Sequence, residues 1–190
     1  MSCIETAPWE EPSLTSSPSS LNQLAEQCQT DGLSLENAAK IAHELSQSFG
    51  VHDDEVAIFK LQQAQLRFIY PPSHSNVGMI PLSHASSLAA RTANTKRPEI
   101  LNNFAQMRHA SVFESVPVDS KTRAGGKKIE KVALTIHKVL SVPVVGAAGV
   151  LGVIQISRKG TSPKAAGPDF QPADLQKLVQ AAGMLAKCFQ

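Results

Sequence analysis

The chain has 190 residues, with 18 Lys and Arg against 16 Asp and Glu, a formal charge of +2. That length suits one globular domain with terminal extensions and excludes a multi-domain machine. A charge so close to balance gives no field to draw the chain onto nucleic acid or an anionic membrane surface. Hydrophobic residues make up 42%, enough for a core, while 12 Pro and 11 Gly against one Trp and one Tyr indicate that part of the chain is irregular. The longest apolar stretch, residues 139–156, is interrupted by Ser141, Pro143, Gln155, Gly146, Gly149 and Gly152, so it does not read as a membrane-spanning helix. The first residues carry Glu5, Glu10 and Glu11 and lack the basic and apolar pattern of a secretory leader, so the expected location is the cytoplasm. Three cysteines, Cys3, Cys28 and Cys188, are an odd number near the chain ends, which argues against a disulfide scaffold and fits a reducing compartment.

In chain order, residues 1–31 are rich in Ser, Pro, Thr, Gln and Glu, and are expected to form a flexible arm because ordering them is not repaid by burial. Within the arm, Leu21, Leu24, Ala25 and Cys28 keep helical spacing, so a short helix on a partner surface is allowed there. Residues 32–190 read as a single domain. Leu35, Ala38, Ala39, Ala42, Leu45 and Phe49 predict the first helix, with Ser34 as its cap and Gly50 as its stop. Residues 53–62 and 66–70 alternate as two strands of a hairpin, which Pro71 and Pro72 end. A short helix is predicted over 83–93, then a long irregular region between Asn102 and Lys131. Residues 134–144 and 149–157 are two β-rich runs around a Gly146-Ala147-Ala148 turn. Pro172, preceded by Gln171 and followed by Asp174, opens a last helix with the face Leu175, Leu178, Val179, Ala182, Leu185 and Phe189.

Two segments carry a family resemblance. Gly78-Met79-Ile80-Pro81-Leu82-Ser83, then Leu88-Ala89-Ala90-Arg91-Thr92 and Arg97-Pro98, resembles the central segment of a GAF domain. Ser141-Val142-Pro143-Val144-Val145, then Gly149-Val150-Leu151-Gly152-Val153-Ile154-Gln155-Ile156, then Phe170 and Asp174-Leu175, resembles the GAF ending. The glycine that the pattern has after Thr92 is Ala93 here. The resemblance implies an α+β fold, GAF/PAS-like, with a central antiparallel sheet of five or six strands flanked by N- and C-terminal helices. The strand and helix patterns assemble the same way without it. Gly152, inside a strand, is expected to leave room for a neighbouring backbone or a packed helix.

No catalytic or metal motif is complete. His43-Glu44 starts a zinc-protease pattern, but residue 47 is Gln. Gly125-Gly126-Lys127-Lys128 lacks the first glycine and the hydroxyl residue of a phosphate loop. The free-methionine sulfoxide reductases resemble bare GAF domains with cysteines in their central loops, and this chain has none there; the same lack argues against a cysteine-bound bilin. Asn102-Asn103-Phe104 lacks the lysine and the acidic pair of the cyclic-nucleotide GAF domains. The residues nearest the expected ligand pocket are Asn102, Asn103, Phe104, His109, Phe113 and His137, which combine polar groups with aromatic walls. In the plainer reading, Phe104 and Phe113 anchor a long loop and the histidines are hydrogen-bonded within it.

The reading that follows is a non-enzymatic sensor or regulatory module, possessing no output segment of its own and signalling through a partner protein. Its cofactor is unknown. The apolar faces of the terminal helices exceed what one sheet face obviously covers, so a homodimer through those helices is expected. The alternatives are a small cysteine-dependent redox enzyme using Cys28 or Cys188, and a ligand-free structural adaptor. No nucleic-acid or membrane partner is expected.

Overall fold

The computed structural model describes residues 18–84, 86–106 and 134–190. Alternating side chains build the strands β1 (Val56–Gln62), β2 (Gln65–Tyr70), β3 (Met79–Pro81), β4 (Glu99–Leu101), β5 (Thr135–Gly146) and β6 (Gly149–Gly160). They form one antiparallel sheet in the order β3-β2-β1-β6-β5-β4. Both long hairpins were legible in the pattern. The β1–β2 turn is tight: Gln63 and Ala64 take φ of 49° and 60° without a glycine. β1 starts later than expected, because residues 53–55 wind into a 3₁₀ turn closed by the His52 N–H donating to Glu55 Oε2 at 2.8 Å. β3 and β4 were not anticipated, since three residues are too few to show a period.

The helices are α1 (Pro18–Asp31), α2 (Leu35–Phe49), α3 (Leu88–Thr95) and α4 (Pro172–Leu185), the last continued by a 3₁₀ turn, Ala186–Phe189. Ser34 Oγ accepts from the Asn37 N–H and Gly50 turns left-handed at φ 59°, so α2 begins and ends where its sequence signals stand. At α4, the Gln171 N–H donates to Asp174 Oδ2 at 2.8 Å. α3 starts at Leu88 with Ser87 as its cap, five residues later than the expected start at Ser83, because residues 82–84 and 86 lie in turns. No helix among the described residues is long and apolar enough to cross a membrane.

Residues 18–31 depart from the expected arm. They form α1, whose Leu21, Ala25 and Cys28 are buried in one cluster with α2, α4 and the sheet. Their polar neighbours hide this face in composition, but an i, i+4, i+7 stripe of small apolar groups is enough to seat a helix. The same cluster holds Leu45, Phe49, Leu178, Ala182, Leu185 and Phe189, so most of the apolar surface offered for pairing with a second copy is consumed within the chain. Leu35 and Val179, read as part of those faces, stand out at 52% and 42% exposed.

The sheet has two unlike faces. Val56, Ile58, Leu140, Val142, Ile154 and Ile156 point to α1, α2 and α4. On the other side, Phe59, Leu66, Phe68 and Val153 pack with Ala89, Ala90 and Ala93 of α3. Gly152 is where β6 meets the C-terminal turn: a Cβ there would lie 2.2 Å from the Phe59 carbonyl oxygen and 2.7 Å from the Phe189 ring. The glycine is the space that the ring needs.

A cavity on the open face of the sheet

The face that carries α3 also holds a cavity. Its floor is Ala57 and Phe59 of β1, Phe68 of β2, Ile136 and Val139 of β5, and its polar wall is Gln155, Ser157 and Lys159 of β6. Asp54, Glu55, Pro71 and His74 complete the lining. The volume of about 40 Å³ has room for about three water molecules. Strand alternation explains the composition: Ala57 and Phe59 of β1 and Gln155, Ser157 and Lys159 of β6 face the cavity, while Val56, Ile58, Ile154 and Ile156 between them face the helices.

Its charged residues are mutually satisfied. Lys159 Nζ donates to Asp54 Oδ2 at 2.9 Å and to the Asp54 carbonyl at 2.7 Å, with the lysine side chain 9% exposed and the aspartate 42%. Glu55 accepts the Lys159 N–H on Oε1 and the His52 N–H on Oε2, so its carboxylate ties β6 to the turn before β1. Ser157 Oγ donates to the Glu55 carbonyl at 3.0 Å. Gln155 is fixed from behind: its Nε2 donates to Ser141 Oγ at 3.2 Å, and Ser141 shares a 2.7 Å hydrogen bond with Thr92 of α3. That bond engages one of the two Nε2 hydrogens, so the Gln155 amide keeps a donor and its carbonyl acceptor at the cavity wall. His74 is buried and stacks on Phe68, ring centroids 5.5 Å apart.

Of the residues singled out from the sequence, the four described ones do not line this cavity. Asn102 accepts the Phe170 N–H at 2.9 Å on Oδ1 and donates from Nδ2 to the Phe170 carbonyl at 3.1 Å, so it clamps the segment before α4. Asn103 is exposed, and its carbonyl accepts from the Gln106 N–H at 3.0 Å. Phe104 is buried against Leu88 and Val139, an anchor behind the cavity wall that does not line the cavity. His137 sits where the β5–β6 register shifts, between Ile136 and Lys138. The bulge turns the histidine out of the alternation and leaves Ile136 in the cavity lining. Its Nε2 lies 3.2 Å from the Gly160 carbonyl, and Nδ1 is buried without a partner. His109 and Phe113 lie outside the described residues. The signal that would have found the cavity is the pair Gln155 and Ser157, polar residues interrupting an otherwise apolar strand on the face away from the terminal helices.

Cys28 and Cys188 belong to the helix-bearing face and are 1% and 0% exposed, with the sheet between them and the cavity. Burial pushes the Cys188 thiol up to about 12, and the neighbouring Cys28 adds to the shift. A thiol held so high is a poor nucleophile at neutral pH. No group of three His, Cys, Asp or Glu among the described residues is placed to hold a metal ion.

The chain matches no family model and no curated protein. Solved structures do match. The GAF domain of an Acinetobacter phosphoenolpyruvate-protein phosphotransferase is similar with TM-score 0.59 at 17% identity, covering 90% of each chain. The GAF domain of the corresponding protein from Coxiella burnetii gives 0.56 at 10% identity, covering 88% of this chain and 91% of that one. A free methionine-R-sulfoxide reductase from Neisseria meningitidis, solved with its substrate, gives 0.57 at 16% identity, covering 90% of this chain and 86% of that one. GAF domains of phosphotransferases and a sulfoxide reductase thus share the architecture, and at these identities the likeness concerns the backbone alone. The six-stranded antiparallel sheet, the helices on its two faces and these matches over most of the chain establish that this protein has the fold of a GAF domain.

Proposed function

We propose that the chain is a non-enzymatic sensor or regulatory module that takes a small, neutral, mostly apolar molecule in the cavity on the open face of the sheet and passes the signal to a partner protein. The observation that carries this is the cavity's chemistry. An apolar floor of Phe59, Phe68, Ile136 and Val139 meets one neutral amide, Gln155, while the neighbouring Lys159 and Glu55 spend their charges on the protein itself. Such a lining rewards a ligand with an apolar body and a single hydrogen-bonding group over an ion. The cysteine-dependent redox reading is disfavoured by the burial of Cys28 and Cys188 on the opposite face. Pairing of two copies through the terminal helices would use what stays exposed there, Leu35 on α2 and Val179 on α4.

Native mass spectrometry of protein purified from its own host, compared with the denatured mass, tests the reading. The expected result is a non-covalent excess mass that Val139→Trp, which fills the cavity, removes without changing the far-ultraviolet circular dichroism. An excess mass that survives the tryptophan, or bare protein in every preparation, overturns the assignment. The same spectra read the oligomeric state.

A further inference from the structure

We propose that Cys28 and Cys188 form a dithiol that closes an intramolecular disulfide, a modification site fastening α1 to the C-terminal turn. Both are free thiols, and they come from opposite ends of the sequence to one spot in the core. Cys188 Sγ lies 3.9 Å from the carbonyl of Ala25, one helical turn before Cys28 on the same face of α1. Cys28 lies close enough to raise the Cys188 thiol beyond what burial does. Around them are Leu21, Ala25, Leu185 and Phe189, which exclude water and supply no base.

The oxidant the site would take is a peroxide or a disulfide reagent. With a peroxide, one thiolate attacks the O–O bond, forming S–O and releasing water or an alcohol. The second sulfur attacks the sulfenic sulfur, forming S–S and expelling hydroxide, which leaves as water with the remaining proton. Two electrons pass from the two sulfurs to the peroxide, and two protons leave with its oxygens. In the packed state a reagent meets protonated, covered sulfur, so the rate follows the opening of α1 from the core. Once formed, the bond spans almost the whole domain and restricts the unfolded chain accordingly.

The test uses the full chain carrying Cys3→Ser, so that only two thiols remain. After treatment with hydrogen peroxide or oxidised glutathione, free thiols are alkylated in denaturant and the intact mass and non-reducing peptide map are read. The expected result is a species lighter by two hydrogens, with both thiols lost together and the peptides of Cys28 and Cys188 linked. It forms independently of protein concentration, is reversed by dithiothreitol, and melts at a higher temperature than the reduced form. Singly oxidised cysteines without a link, a cross-link between two chains, or equal melting temperatures overturn the proposal. Cys28→Ala and Cys188→Ala, each in the Cys3→Ser background, check it from the other side: either one must abolish the link and leave the remaining thiol alkylatable.

Discussion

Replacing Gly152 by alanine tests the packing of β6 against the C-terminal turn. The new methyl would sit 2.2 Å from the Phe59 carbonyl oxygen and 2.7 Å from two carbons of the Phe189 ring. The ring can tilt, but the carbonyl belongs to the paired strand β1, where Lys60 faces Gly152 in the register, so backbone has to move. Overpacking of a closed core costs about 1–3 kcal/mol, and backbone displacement puts this site near 3 kcal/mol. For a domain of this size each kcal/mol lowers the melting temperature by about 2–4 °C, so a fall of about 6–12 °C is expected. Thermal denaturation followed by circular dichroism reads it, with Gly183→Ala as the contrast. Gly183 lies in the exposed part of α4 with nothing within 4 Å of an added Cβ. Its replacement should therefore stabilise by about 0.5–1 kcal/mol through helix propensity. If Gly152→Ala melts within about 2 °C of the unaltered protein, a shift worth at most about 1 kcal/mol, the close-approach argument is wrong.

Asn102→Ala removes both hydrogen bonds to the Phe170 backbone and should cost about 1–3 kcal/mol in urea denaturation while leaving any co-purified ligand in place. Loss of ligand with unchanged stability would return Asn102 to the binding site. Asp53 titrates with a clear sign. Burial pushes its carboxyl up, but the Ser46 hydroxyl and the His43 imidazole together outweigh burial and hold it below its ordinary 3.8. A depressed carboxylate stabilises above its unfolded value and loses that contribution as the pH falls through the folded one. Asp53→Asn should therefore melt below the parent at neutral pH, with the gap closing as the pH drops below about 3.8. A gap that is constant down to pH 2 would refute the coupling.

The sequence made the long elements legible and the site poorly so, for one physical reason. Helices with a cap and a stop, such as α2, and strands with sustained alternation, such as β1 and β6, announce themselves because each of their residues answers to the same period. A three-residue strand like β3 has no period to show. α1 was read as an arm because most of its residues are Ser, Gln, Asn or Glu, and only the spacing of Leu21, Ala25 and Cys28 revealed a buried side. The binding residues were sought in the long loop by analogy with loop-borne sites. Asn102 and Phe104 proved to be a clamp and an anchor. A one-residue bulge was enough to take His137 out of line, and bulges have no composition of their own. Gln155 was legible as an anomaly: an amide between Ile154 and Ile156 has to answer to something other than the helix core.

That adjacency has a mechanical consequence. Along β6 the cavity and the helix core are read by alternate residues, so Gln155 and its neighbours Ile154 and Ile156 are one peptide bond apart and share a rigid pleat. A shift of the β6 backbone at Gln155 would carry Ile154 and Ile156 with it, so the cavity wall and the floor beneath α2 and α4 form one mechanical layer.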